Sequence, residues 1–176
     1  DEADYWLEHY GPLLKTHYNL DLDGRMTDDD AYDITDVPYG NGVVTGSLED
    51  ELHGTHVAGI SLAKRNNGKG VTGVTNNVKL PSVRAVPDGD EYDKDIALGI
   101  RYAVDNGAQI INCSFGKAFS PNAEWVYDAI RYAAAKDVLI VHAAGNDGLD
   151  LDSPDNPNYP NDQIGVNPEM VNNVIT

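Results

Sequence analysis

Apolar positions recur along this chain with two periods, and those periods divide it into elements. Over residues 4–18, Tyr5, Leu7, Tyr10, Leu13 and Leu14 form a broad stripe at helical spacing, with Gly11-Pro12 placed to break or kink it. Residues 31–50 hold Pro38, Gly40, Gly42 and Gly46 and few apolar pairs, which predicts an irregular surface loop. Regular patterning starts at Leu52. Val57, Ile60 and Ala63 share one face of a helix that begins near His53, is buried on its far side and gives way at Asn66-Asn67-Gly68-Lys69-Gly70. A strand is expected over Val78–Val86, although Pro81 cannot donate to a ladder. Asp90 as N-cap and Gly107 as stop bracket a helix over residues 91–106, with Ile96, Ile100 and Ala103 facing inward. Ile110-Ile111 starts a short buried strand. Ser120-Pro121 opens the next helix, proline in its first position, and Val126, Ala129, Ile130 and Ala133 form its buried stripe. Val138–Val141 reads as a second buried strand, and Val174-Ile175-Thr176 as a strand being entered.

Continuously apolar strands alternating with helices predict an α/β fold, a parallel sheet covered by helices on both faces. An acidic, irregular N-terminal segment, residues 1–50, carries the 4–18 helix and precedes a domain over residues 51–176.

Charge narrows the partners. Lys and Arg number 12 against 29 Asp and Glu, a net charge of −17. Nucleic acid and anionic membrane surfaces both need a basic face, so neither is an expected partner. No apolar run reaches membrane-spanning length and no signal peptide is evident. The single cysteine, Cys113, excludes an intrachain disulfide. Without a basic neighbour it reads as a small buried hydrophobe rather than a nucleophile. Asp21–Asp30 hints at a calcium loop, but Gly24 and Arg25 stand in the wrong places for an EF-hand, and a solvated acidic loop is expected. The start at Asp1-Glu2-Ala3-Asp4 and the end on a strand predict an internal fragment.

Three stretches carry candidate chemistry. In Glu51-Leu52-His53-Gly54-Thr55-His56-Val57-Ala58-Gly59, two histidines stand at the mouth of a helix, and Gly54 and Gly59 leave room for close packing. This stretch suits an ordinary helix start, a metal pair on one turn, or a general base at His53. No His-Glu-x-x-His zinc pattern is present. Asn112-Cys113-Ser114-Phe115-Gly116 and Ala143-Ala144-Gly145-Asn146-Asp147-Gly148 each begin where an apolar strand stops. They are either plain turns or the place where ligands gather in a parallel sheet, outside the strands' carboxyl ends.

The string His53-Gly54-Thr55-His56-Val57-Ala58-Gly59, followed in order by Ser114-Phe115-Gly116 and Ala143-Ala144-Gly145-Asn146, resembles the motifs of the subtilisin-like serine peptidases, the subtilases. The resemblance covers roughly residues 46–176. It implies a subtilisin-like fold, incomplete at both ends. His53 would be the general base, His56 part of the helix packing, and Asn146 the donor to the oxyanion. Ser114, Phe115 and Gly116 would line one wall of the substrate cleft, and Ala143 and Gly145 the opposite wall. Asn66–Val71 resembles a subtilase calcium loop, with the Asn67 side chain and the carbonyls of Arg65, Lys69 and Val71 as ligands.

The family's Gly-Thr-Ser run is absent, and Ser47, Ser61, Ser82, Ser114, Ser120 and Ser153 lack its context. Neither Asp21 nor Asp23 follows an apolar strand as the orienting aspartate does in the family, and Asp50 is too near His53 in sequence to be that aspartate. The resemblance therefore implies a piece of a serine endopeptidase whose serine and aspartate lie elsewhere, inactive as this chain alone. Its partner would be a polypeptide substrate, and its location extracellular, periplasmic or in the cell envelope. The family's aspartate strand lies between those like Val78–Val86 and Gln109–Cys113, and without it the open edge favours self-association. The competing reading is a non-catalytic calcium- or peptide-binding module that retains the fold.

Overall fold

The computed structural model describes all residues except 1, 17, 18, 20, 23, 26, 50, 87, 166 and 167, and for His9 the backbone alone. Helices α1 (Glu2–Leu13), α2 (His53–Leu62), α3 (Asp93–Asp105) and α4 (Ala123–Ala135) alternate with strands β1 (Ile110–Cys113), β2 (Leu139–His142) and β3 (Val174–Ile175). Two compact units divide the chain: Asp1–Gly40 with Arg84–Thr176, and Asn41–Val83.

In the larger unit the three strands are parallel, in the order β1-β2-β3. Ile111 pairs with Ile140 and Cys113 with His142, so these four side chains share one face. The apolar stripes of α3 (Ile96, Ala97, Ile100, Val104) and α4 (Val126, Ala129, Ile130, Ala133) close over that face with Val138, making one continuous core. Ala97, Ala129 and Ala133 are all but inaccessible. Their small side chains let the two helices and the sheet approach closely. The expected helical stripes are therefore realised. Covering on both faces is not: along β2 the residues alternate between half-buried and buried, and Ile110 and Asn112 of β1 are exposed.

Both core helices end in a Schellman motif. After α3, Gly107 N–H bonds to Val104 O and Ala108 N–H to Ala103 O, with Gly107 at φ +83°, as its role as a stop requires. After α4, Asp137 takes the same left-handed position at φ 58°, with bonds from Asp137 to Ala134 O and from Val138 to Ala133 O. The starts differ from expectation. Tyr92, not Asp90, precedes α3, and the Asp90 carboxylate instead accepts the neighbouring Glu91 N–H. Helix α4 begins at Ala123, so Ser120-Pro121 lies in the turn before it. Asp93, in the first turn of α3, holds that turn by accepting from Ser120 Oγ at 2.6 Å and Asn122 N–H at 2.8 Å.

Helix α1 ends at Leu13, one residue past Pro12, and runs on into turns closed by Lys15 N–H to Pro12 O and Thr16 N–H to Leu13 O. The stripe expected to reach residue 18 stops there, with residues 17 and 18 outside the described set. The acidic stretch that follows is not simply solvated. Arg25 is held bidentate by Asp95 and also bonds Asp29 at 2.7 Å. Lys94, fully buried, donates to Asp29, to Asp30 O and to Asp36 O. Tyr39 donates to Asp95 and lies under both cations. The Asp29 carboxylate is thus engaged by two cations; Asp23 and Met26 of that stretch lie outside the described residues.

The smaller unit contains α2 and no strand among the described residues. Helix α2 has no buried residue, and Ile60 is 53% exposed, so the expected buried face of Val57, Ile60 and Ala63 is only half formed. After the turn at residues 64–72 the chain returns to cap the helix. Gly73, Val74 and Thr75 N–H groups bond to the carbonyls of Ala63, Ile60 and Ser61, which would otherwise be orphaned. A Cβ at Gly73 would stand 2.4 Å from Ala63 N, so this return needs glycine. At Gly54 and Gly59 a Cβ would meet nothing within 4 Å, and the packing role expected of them is not found. The strand expected over Val78–Val86 is absent. Val78 and Leu80 are more than half exposed and pair with no strand among the described residues, and Pro81 removes a donor. Only Ala85 and Val86, in the larger unit, pack against the core.

Candidate active site at the carboxyl ends of β1 and β2

Because β1 and β2 run parallel and in register to Cys113 and His142, the loops that follow leave the sheet side by side. These loops are Ser114–Gly116 and Ala143–Asn146, the two predicted walls. Ala143 N–H bonds to Cys113 O at 3.1 Å and continues the pairing to the strand ends. Asn112 donates to Ser114 Oγ at 2.8 Å. Gly145 adopts φ +84°, a left-handed turn that opens the chain toward Asn146. Asn146 is exposed, and no group among the described residues engages its amide. An exposed amide on a turn at the end of a buried strand is a neutral donor free to meet a ligand.

His53 and the Arg65–Val71 loop belong to the other unit. His53 is the first residue of α2 and is exposed, and no side chain among the described residues orients its imidazole. His56, expected in the helix packing, is exposed too. Asn66, Gly68 and Gly70 have φ of 57°, 67° and 56°, a tightly wound loop, and Asn67 Oδ1 accepts the Lys69 N–H at 2.9 Å. The donors there are neutral oxygens, which suit a hard cation, but the stretch holds no carboxylate and carries Arg65 and Lys69. Among the described residues no cluster of three His, Cys, Asp or Glu is placed to hold a metal.

Several residues that sequence patterns passed over shape the walls. His142 is 5% exposed, and its Nε2 lies 3.0 Å from Phe115 O. A carbonyl only accepts, so Nε2 carries the proton and Nδ1 is buried without a partner. Burial holds this imidazole below the ordinary histidine value, outweighing the Phe115 bond, so the ring is neutral. Asn158 donates to Ala143 O at 2.9 Å, and Lys117 and Tyr159 exchange two backbone bonds. Beyond the first wall, Lys117 donates to Glu91 O and pairs with Asp93 at 2.9 Å. Burial, with Asp90 adding to it, pushes the Glu91 carboxyl up to about 7. A polar His142 closing the apolar run Leu139-Ile140-Val141, on its inward face, was the one signal available beforehand. Cys113 is buried and its thiol is pushed up to about 12, so it packs rather than reacts. Ser61 and Ser120 donate to Val57 O and Asp93 rather than to a histidine.

The subtilase family model matches residues 12–176. The chain is 38% identical over 129 residues to a thermophilic serine proteinase of Bacillus sp. (strain AK1), covering 73% of this chain and 30% of that protein. It is 40% identical over 129 residues to a cell wall-associated protease of Bacillus subtilis (strain 168), covering 73% and 13%. Thermitase of Thermoactinomyces vulgaris is 37% identical over 109 residues, 61% and 37%. The chain thus spans under two fifths of the length of each of these relatives. Order of motifs, α/β architecture, strand-end loops and the family match over nearly the whole chain agree: the chain belongs to the subtilase family.

Proposed function

We propose that this chain is part of a serine endopeptidase that hydrolyses peptide bonds in polypeptides, with His53 as general base and Asn146 as oxyanion donor. In this reading Ser114, Phe115 and Gly116 form one wall of the cleft and Ala143 and Gly145 the other. The nucleophilic serine and the orienting aspartate come from outside these 176 residues. The division into an acidic N-terminal segment (residues 1–50) and a partial catalytic domain (residues 51–176) belongs to the same reading. The observation that carries it is the registered exit of the two loops from β1 and β2, with an unengaged amide at Asn146 beside a segment able to pair with extended backbone. Amide hydrolysis puts charge on a former carbonyl oxygen, and a fixed neutral donor stabilises that charge without reorganising. General-base removal of the serine proton, with its return to the leaving amine, is the role left for His53.

The test uses two preparations, the full-length protein and the 176-residue chain, on casein and a fluorogenic peptide library. The full-length protein should turn over and be silenced by a serine-directed fluorophosphonate. The chain alone should not turn over, because a histidine lacking its orienting carboxylate loses roughly 10⁴ in rate and no nucleophile is present. Turnover by the chain that His53→Ala abolishes would overturn the assignment. Peptide binding without turnover in the full-length protein would point instead to a non-catalytic module.

Calcium is the proposed structural ion, held by Asn67 Oδ1 and the carbonyls of Arg65, Lys69 and Val71. With only neutral oxygens the loop should bind weakly, with a Kd on the order of 10⁻⁴–10⁻³ M unless carboxylates elsewhere contribute. Calorimetric titration of the full-length protein should show this binding and its loss in Asn67→Ala; an isotherm unchanged by that substitution rules the site out.

Location outside the cytoplasm, by secretion or in the periplasm or cell envelope, is the setting this reading favours. The relatives include one named a cell wall-associated protease and one named a minor extracellular protease. No helix among the described residues is long and apolar enough to cross a membrane. Strand β1 lies at the sheet edge with Ile110 64% exposed, and an open apolar edge recruits a second copy, against the opposing charge of −17. Sedimentation of the isolated chain should therefore shift to larger species as concentration rises, and a constant monomer would contradict it.

A further inference from the structure

Resting on the proposed function, the geometry behind the first wall assigns a task to a residue that does not face the cleft. Ser114–Gly116 follows β1 directly. Among the described residues, the Ser114 carbonyl and both backbone groups of Gly116 take no hydrogen bond. Such unpaired groups on an extended segment are what an added peptide strand pairs with. The carbonyl between them is different: Phe115 O is taken by the buried His142 ring at 3.0 Å. Gly116 sits against the same ring, since a Cβ there would stand 3.2 Å from His142 Nε2 and 2.7 Å from Asn158 Oδ1. Asn158 in turn bonds the opposite wall at Ala143 O. The next residue, Lys117, is fixed to Tyr159 by two backbone bonds.

We propose that His142 is a positioning residue for substrate: its Nε2–H pins the Phe115 carbonyl and thereby holds the backbone groups of Ser114 and Gly116 ready to pair with an extended polypeptide. With an apolar side chain in its place, the half-buried Phe115 loses the donor to its carbonyl, and the peptide units on either side rotate to find another. The substrate loses a preformed edge rather than a contact with His142 itself. Long substrates use that edge, and a single-residue ester does not.

The experiment compares a tetrapeptide anilide with a blocked single-residue ester on the full-length protein. The unmutated protein should favour the tetrapeptide. His142→Leu should lower kcat/KM for the tetrapeptide about tenfold, mainly through KM, and leave the ester nearly unchanged. His142→Gln keeps an N–H at about the reach of Nε2 and should restore most of the preference. Equal losses on both substrates, or an intact preference in His142→Leu, would overturn the proposal while leaving the peptidase reading standing. No preference for length in the unmutated protein would instead remove the substrate role of Ser114–Gly116, and this inference with it. Should His142→Leu fail to fold, nitrogen-15 NMR of the unmutated imidazole decides. The neutral Nε2–H form is expected at pH 7, and the Nδ1–H form would sink the proposal.

Discussion

Replacing Asn146 by alanine in the full-length protein should lower kcat by about 10²–10³ with little change in KM; the size is that of the oxyanion donor in subtilisin itself, a member of this family. The split between the two constants follows from when the charge exists. The substrate carbonyl is nearly neutral when bound, and becomes an oxyanion only as the tetrahedral intermediate forms. A donor that meets it then contributes to the transition state and not to ground-state binding. In the proposed reading, the unengaged, exposed amide of Asn146, which follows the left-handed turn at Gly145, is the group that meets it. His53→Ala should cost far more, about 10⁶ in kcat, again the subtilisin figure, because nucleophile and base act as one unit. A drop confined to KM in Asn146→Ala, or equal losses in the two variants, would reassign Asn146 to ordinary substrate contact.

Asp29→Ala is expected to destabilise the chain by about 3–5 kcal/mol, the usual consequence of removing one partner from a buried ion pair. That is a large share of a domain's typical ~5–15 kcal/mol. Lys94 is fully buried and the Arg25 side chain is 3% exposed, so neither cation can recover its loss in water. Lys94 keeps the carbonyls of Asp30 and Asp36, and Arg25 keeps Asp95, but four buried charges become three. The double variant Asp29→Ala/Lys94→Met should be more stable than Asp29→Ala, because the penalty comes from the uncompensated ammonium and not from lost attraction alone. Urea unfolding followed by near-ultraviolet dichroism measures both. A double variant no more stable than the single would refute that origin.

The same carboxylate predicts a pH limb. Burial alone would raise the Asp29 carboxyl, but Lys94 and Arg25 outweigh it and hold it well below the usual carboxylate range. Its contribution is therefore complete above the unfolded value of about 3.9 and is lost as pH falls below it. That acid limb should be shallower in Asp29→Ala.

Local pattern read most of the core. The stripes Ile96-Ile100-Ala103 and Val126-Ala129-Ile130-Ala133 became the two packed helices, because a sustained 3.6-residue apolar period leaves few alternatives. The pattern misled where the outcome depended on a neighbour. Val78–Val86 has apolar residues enough for a strand, but a strand exists only if another pairs with it, and the segment pairs with no strand among the described residues. Val57, Ile60 and Ala63 are spaced for burial, yet α2 belongs to a small unit without a sheet to cover them. Asp29 reads as one more acid in an acidic run, and its cation Lys94 stands 65 residues away in the chain.

By itself the sequence determined the order of helices and strands around the core, the family, and which strand ends bear Ser114–Gly116 and Ala143–Asn146. These rest on periodicity and contiguous motifs, information carried within a few turns of chain. Only the tertiary structure decided that His142 holds Phe115, that Asn158 reaches Ala143, and that Arg25 and Lys94 knit the N-terminal segment to α3. Each of those bonds joins residues that are 15 to 70 positions apart. Hydrogen bonds and ion pairs act over about 3 Å, so which partners meet is set by how the packed core returns the chain.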